Sequence, residues 1–208
     1  MSLIASTTNT GLSIKQTVAP TVASTAAAAK NATKKVAVED SMDGLRADLV
    51  GLKKNIANIS SIKVSDAGAL SFTAEELTKY SDVIAKISGN REFTATAVDA
   101  TTLDSVLKNK NVTKIQVKDT AANIGNKIGS LIANNARVTQ LNVSDNEKMA
   151  VTYSNFSLAN ASGGLFSKLV DGAGTAALTA LNGKLNVSGV SVANYSSLNT
   201  GVATSKVN

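Results

Sequence analysis

The stretch that decides the fold is VAVEDSMDGLRADLVGLKKNIANISSIKVSD, residues 36–66, because the chain repeats it. Moved forward by 79 positions without a gap, this first stretch falls on the second stretch, IQVKDTAANIGNKIGSLIANNARVTQLNVSD, residues 115–145. The eight identical positions are, in the numbering of the first stretch, Val38, Asp40, Leu52, Asn55, Ala57, Val64, Ser65 and Asp66. Apolar residues also fall on apolar residues, as Leu45 does on Ile124. A repeat of this kind indicates a duplicated structural unit.

Both stretches have the pattern of a strand, a capped helix and a second strand. In the first stretch, residues 35–38 are typical of a short strand, and Asp40 lies where a helix N-cap belongs. The helix that follows has apolar residues at helical spacing, which are Leu45, Leu49, Leu52 and Ile56. Residues 59–64 are typical of a second strand, and Asp66 suits the turn after it. The second stretch repeats this order, with aspartates at the same two places.

Further elements are predicted around the two stretches. Thr73 and Glu76 form a capping box, and the helix that it begins has an apolar stripe through Ile87. A long helical segment is expected from Phe156 to Val170, although two adjacent glycines disfavour it. The other predicted strands are residues 70–72, 93–98, 149–151, 185–187 and 190–192.

This order of elements predicts an α/β fold. Strands separated by helices of this length form parallel pairs with right-handed crossovers. A doubly wound sheet is one such arrangement. The repetition and the aliphatic layers favour another, in which strand–helix units stack as a right-handed, solenoid-like parallel sheet with short helices. The expected parts are a low-complexity arm (1–33), a first repeat unit (34–111), a second repeat unit (112–184), and C-terminal strands with a tail (185–208).

The N-terminal arm is rich in Ala, Ser and Thr and holds the one proline, Pro20. Leu12, Ile14 and Val18 alternate with polar residues, which is the period of a strand. Two interpretations stay open. The arm packs on its own domain, or it adds a strand to a neighbouring copy of the chain.

Residue types that carry most enzyme chemistry are missing. The chain has no His and no Cys, which removes the commonest general base, the commonest transition-metal ligand and all disulfides. The regularly placed aspartates are interpreted as caps for helices and turns rather than as a catalytic or metal site; they are Asp40, Asp66, Asp99, Asp119 and Asp145. The sequence therefore predicts no catalytic, cofactor-binding or metal-binding residues, and no enzyme.

The net charge of +6 raises the possibility of a nucleic-acid partner. Against it, the lysines are dispersed, aromatic residues make up only 3% of the chain, and the chain has few arginines for bidentate contacts. These are Arg46, Arg91 and Arg137. We therefore expect a solvated basic surface and no nucleic-acid function. No stretch approaches the roughly 20 apolar residues of a membrane span, and no N-terminal signal peptide is recognisable.

Several short motifs resemble a known repeat style. VKDTAANI (117–124), LNVSD (141–145), IKVSD (62–66) and LSFTA (70–74) are similar to the degenerate units of large secreted bacterial surface proteins of the adhesin and haemagglutinin type. The resemblance covers roughly residues 34–156. It implies a secreted or cell-surface location and a structural or adhesive role. The chain departs from that style in being short and basic and in lacking calcium-binding nonapeptides.

The leading hypothesis is a secreted structural protein that self-associates into a filament or surface layer through its N-terminal arm and open repeat ends. The alternative is an adhesin-type binding module for a glycan or matrix ligand. A nucleic-acid binder and an enzyme rank below both. No cofactor is expected.

Overall fold

The computed structural model of the chain describes residues 35–66, 70–89, 92–145, 147–170 and 184–195. The predictions for the N-terminal arm and for the tail beyond 195 lie outside these residues. The described part forms two compact units, one with the residues up to 66 and Lys86–Ser88, the other with the remainder.

The first unit contains a strand–helix–strand motif. Its elements are β1 (Val36–Asp40), α1 (Met42–Ala47), α2 (Leu49–Lys54), a 3-10 helix (Ile56–Asn58) and β2 (Ile59–Val64). β1 and β2 are parallel, and Ile62 of β2 also forms a parallel bridge with Ile87. Three residues of the predicted helical stripe, Leu45, Leu49 and Leu52, are buried, whereas Ile56 is half-exposed in the 3-10 helix.

The second unit holds the larger sheet. Its elements are β3 (Leu70–Thr73), α3 (Ala74–Lys79), α4 (Ser81–Ile84), β4 (Phe93–Val98), α5 (Leu103–Lys108), β5 (Val112–Asp119), α6 (Ala121–Ala133), β6 (Val138–Val143), β7 (Met149–Thr152), α7 (Tyr153–Ala159), a 3-10 helix (Leu165–Lys168), β8 (Leu169–Val170) and β9 (Leu185–Ser188). Five strands pair in the order β3-β4-β5-β6-β8, all parallel, and β7 pairs with β9, also in parallel.

The chain is therefore a mixed α/β protein, as the sequence predicts. Across the five-stranded sheet the strands follow one another in chain order. A doubly wound sheet instead reverses its strand order at a switch point, and the described part of this sheet has no such reversal.

The two stretches of the repeat have the same strand pairing. Val36 of β1 pairs with Ile59 of β2, and the positions 79 residues later, Ile115 and Val138, pair in β5 and β6. The register shifts directly after the first pair in both cases. The pairing is therefore conserved between the two stretches down to the position of the irregularity.

The five-stranded sheet has an apolar face and a polar face. The inward residues are almost fully buried, and they alternate along the strands except where the register shifts; they include Phe72, Phe93, Ala95, Ile115, Val117, Val138 and Leu141. Phe72 and Phe93 meet edge to face with ring centroids 5.5 Å apart. The residues between them are polar and mostly half-exposed or exposed.

Several sequence expectations about helices need correction. The single helix expected through Leu45–Ile56 is divided at Asp48, which ends α1 and precedes α2. The helix expected to reach Ile87 ends at Ile84 after a break at Tyr80. In the second stretch α6 runs through without a break for 13 residues. Helix propensity does not account for the breaks, because α6 contains Gly125 and Gly129, which are weaker helix formers than Asp or Tyr, and has no break.

Two further expectations were wrong near the C-terminal end. The helix expected up to Val170 ends at Ala159 and is replaced by a 3-10 turn and β8. The predicted helix cannot continue through Gly163, whose φ of 70° is left-handed. The strand expected at 190–192 is absent, because Gly189, with a φ of 72°, turns the chain and Val192 lies 96% exposed in a helical turn.

Candidate functional site

Open α/β sheets bind their ligands at the carboxyl ends of the parallel strands, so a catalytic or binding site is expected at that edge. In the second unit this edge carries Asp99 after β4, Asp119 at the end of β5 and Asp145 after β6. The three carboxylates are half-buried. Their hydrogen bonds decide whether they form a reactive cluster.

Asp119 uses both carboxylate oxygens on nearby donors. Its Oδ1 accepts from the backbone N–H of Thr120 at 2.7 Å and from Nδ2 of Asn123 at 2.8 Å. Its Oδ2 accepts from the backbone N–H of Ala100 at 2.7 Å, in the segment that follows the neighbouring strand β4. This carboxylate therefore joins the ends of two adjacent strands.

Asp145 makes the same kind of link one strand further along. Its Oδ1 accepts from the backbone N–H of Ala121, the first residue of α6, at 3.0 Å. In the first unit, Asp66 accepts from the N–H of Met42 at 3.1 and 3.2 Å. Each carboxylate thus reaches back 24 residues to the start of a helix.

Asp99 instead stabilises its own turn. Its Oδ1 accepts from the backbone N–H and the hydroxyl of both Thr101 and Thr102, at 2.7–3.0 Å. The Thr101 hydroxyl contributes most to lowering the pKa of Asp99 below the usual 3.8; partial burial opposes it, and the other bonds from Thr101 and Thr102 assist. Asp99 is therefore a turn-stabilising carboxylate that is held in its charged form.

The predicted N-caps were misplaced by one residue. The caps of α1 and α6 are Ser41 and Thr120, whose hydroxyls accept from the N–H of Gly44 at 3.1 Å and of Asn123 at 3.3 Å. Asp40, directly before Ser41, accepts from the Ser41 N–H at 2.6 Å. At this helix start the Ser41 hydroxyl therefore accepts one backbone N–H and the Asp40 carboxylate accepts another. The capping box of Thr73 and Glu76 is formed as the sequence predicts.

A small cleft lies between α5 and α6 and is lined by Asp99, Asp119, Asn123 and Lys127, among others. Its volume is about 10 Å³, room for about one water molecule. Lys127 is paired with Asp104 at 2.9 Å. The cleft does not have room for an organic substrate.

The cations at the opposite edge of the sheet are bound to backbone oxygens. The guanidinium of Arg137 donates to the carbonyls of Val106, Leu107, Asn109 and Val112 at 2.7–3.3 Å. Lys168 donates to the backbone carbonyl and, at 2.8 Å, to Oδ1 of Asn135, and burial lowers its pKa below 10.5. Arg137 counted among the three arginines able to contact nucleic-acid bases, but its donors are engaged inside the protein.

The aspartates accept hydrogen bonds from backbone N–H groups at helix starts and turns, as predicted, but Asp40 and Asp119 lie one residue before the N-caps. What the sequence did not predict is their reach from one strand–helix segment to the one before it. The one available signal was the recurrence of Asp at equivalent places in both stretches. Among the described residues, no three acidic residues are grouped so that they could hold a metal ion. In the same residues, no helix is long and apolar enough to cross a membrane.

Comparisons of the chain with protein-family models, with curated proteins and with solved structures found no match.

Proposed function

We propose that the protein is a secreted or cell-surface structural protein that assembles with copies of itself into a filament or surface layer. The observation that supports this most is the run of parallel strands in chain order, whose outer strands each have a single partner strand among the described residues. In the described part of the chain, β3 pairs only with β4, β8 only with β6, and β1 only with β2. Such edges offer unpaired backbone donors and acceptors to another chain.

The proposal treats the strand–helix segments as rungs of a solenoid-like stack. Asp66, Asp119 and Asp145 each join one strand–helix segment to the start or end of another. In such a stack a terminal rung needs a cap or another copy. The N-terminal arm supplies the joint in this proposal, because Leu12, Ile14 and Val18 would add one apolar row to an edge strand. A contact that does not close on itself produces a fibre.

The test is assembly of the full-length protein and of a variant without residues 2–33, followed by light scattering and negative-stain microscopy. We expect ordered assemblies for the full chain, and a folded monomer with an unchanged circular dichroism spectrum for the truncated one. A full-length protein that stays monomeric at high concentration would contradict the proposal.

A matched pair of variants tests the arm more finely. Ile14→Asp with Val18→Asp puts two charges on the apolar row of the arm. Ser13→Asp with Thr17→Asp puts the same charge on the other row, since successive residues of a strand face opposite sides. Assembly should fail for the variant with Ile14→Asp and Val18→Asp, and it should persist for the variant with Ser13→Asp and Thr17→Asp. Equal loss in both would show that charge, and not strand addition, governs assembly.

A further inference from the structure

The polar face of the five-stranded sheet is exposed or half-exposed from Ser71 of β3 to Gln140 of β6, and the strand register fixes its members. Ser71 pairs with Thr94, and Thr94 with Lys114. A second cross-strand pair is Gln116 with Gln140, and a third is Lys118 with Asn142. Paired residues share a face, as do alternate residues of a strand. The face therefore consists of Ser71, Thr73, Thr94, Thr96, Lys114, Gln116, Lys118, Gln140, the buried Asn142 and, paired with Asn142, the half-exposed Val170.

This composition is unusual for a parallel sheet. Parallel sheets are generally covered on both faces and carry near-continuous apolar strands. Here one face is apolar and almost fully buried, whereas the opposite face carries Ser, Thr, Gln, Asn and Lys, with Val170 of β8 at its margin. Lys114 and Lys118 are exposed, and Gln116 between them is half-exposed.

The charge on this face has one sign. Lys114 and Lys118 form no ion pair with any described residue, and no carboxylate occupies a paired position of the face. Asp119 follows Lys118 directly, so it alternates to the helix side, where it binds the N–H of Ala100 and Thr120. β5 thus separates its charges, with lysines outward and the carboxylate inward.

The spacing of the groups suits an extended ligand. Lys114 and Lys118 are four residues apart on one strand, about 13 Å at roughly 3.3 Å per residue. Across the strands, Ser71, Thr94 and Lys114 form a row with about 4.8 Å between neighbours. A chain that lies across the sheet would meet one hydroxyl, amide or ammonium group per strand.

We propose that this face binds a linear acidic polysaccharide. The ammonium groups of Lys114 and Lys118 would form charge-assisted hydrogen bonds to carboxylate groups of the sugar chain. The hydroxyls of Ser71 and Thr94 and the amide of Gln116 would bond to sugar hydroxyls. The face has no aromatic residue on which nucleobases could stack and no apolar centre of the kind that protein interfaces have. This polysaccharide binding is independent of the proposed self-assembly, because it uses the polar face rather than the N-terminal arm and the edge strands.

The experiment measures binding of the full-length protein to polygalacturonate, with uncharged dextran and single-stranded DNA as comparisons. Lys114→Gln with Lys118→Gln should weaken binding to polygalacturonate by about ten-fold or more. The matched control is Lys108→Gln with Lys110→Gln, which removes the same charge from exposed lysines outside the face. Circular dichroism checks that both variants fold.

The expected results are tight binding to polygalacturonate at low salt, weakening as salt rises, little binding to dextran, and a loss confined to the Lys114/Lys118 variant. Equal loss in both variants would overturn the proposal, because it would show a response to net charge alone. Tighter binding to single-stranded DNA than to polygalacturonate would also overturn it, as would no binding at low salt.

Discussion

The carboxylate of Asp145 accepts a hydrogen bond from the backbone N–H of Ala121 at 3.0 Å and so joins the end of β6 to the start of α6. Asp66 and Met42 have the same relationship in the first unit. The N–H groups in the first turn of a helix have no partner within the helix. The bond therefore satisfies a helix start and holds two neighbouring strand–helix segments together.

Replacing Asp145 should destabilise the fold more than its exposure suggests. Asp145→Ala leaves the Ala121 N–H without its acceptor, at an expected cost of about 1 kcal/mol in the free energy of unfolding. Asp145→Asn should cost less, because an amide oxygen can still accept. Urea unfolding followed by circular dichroism measures both. Glu147→Ala, at an exposed site in the same loop, is the control. Equal effects of Asp145→Ala and Glu147→Ala would contradict the assigned role.

Two glycines of α6 should respond to alanine with opposite signs. A Cβ on Gly125 would lie 2.8 Å from the carbonyl oxygen of Ala150 in β7, whereas a Cβ on Gly129 would meet nothing within 4 Å. Gly125→Ala should therefore lower the free energy of unfolding by about 1–3 kcal/mol, because backbone has to move. Gly129→Ala should raise it by about 0.5–1 kcal/mol through helix propensity.

Urea unfolding of the two variants checks this pair directly. Because both changes add one methyl group to the same helix, propensity cancels in the comparison. A stabilising Gly125→Ala would show that α6 does not approach β7 as closely as the structure has it.

The alternation and the helical stripe of the repeated stretch were enough to predict β1, β2, β5 and β6. The apolar spacing did not determine the helix lengths, because both stretches carry a similar apolar stripe, yet the first helix breaks at Asp48 and α6 continues through Lys127 at the equivalent place. The sequence also could not predict hydrogen bonds between residues that are far apart in the chain. That Asp145 bonds to Ala121, rather than within its own turn, depends on which strand lies beside β6.

The polar face illustrates the same limit. The sequence shows the lysines of β5 as dispersed charges, and it was reasonable to treat them as solvated surface. Only the register places Lys114 beside Thr94, and Thr94 beside Ser71. A surface made of single residues from several strands leaves no contiguous motif in the chain.

Acid should remove a contribution of Asp99 to stability. Its pKa is lower in the folded protein than the usual 3.8, chiefly through the Thr101 hydroxyl. The folded state therefore favours the carboxylate, so the contribution is present above the unfolded value and is lost as pH falls through the folded value. In urea unfolding at pH 6 and pH 2.5, Asp99→Asn should be less stable than the wild type at pH 6, and the difference should shrink at pH 2.5.

The control for Asp99 is Glu147→Gln, which removes an exposed carboxylate elsewhere in the same unit. The free energy of unfolding of Glu147→Gln should differ little from that of the wild type at both pH values. A difference for Asp99→Asn that stays constant between pH 6 and pH 2.5 would show that the hydrogen bonds to Thr101 and Thr102 do not favour the charged form.

Arg137 should be among the costliest polar residues to replace, because its guanidinium serves four backbone carbonyls around the end of α5 and the start of β5. We expect Arg137→Ala to lower the free energy of unfolding by about 2–3 kcal/mol, since those carbonyls lose a charged donor. Arg137→Lys should recover only a small part, because an ammonium cannot reproduce the planar fork. Lys110→Ala, at an exposed cation nearby, controls for charge. Full recovery by lysine would show that positive charge alone stabilises this end of the sheet, and that the fork geometry contributes nothing.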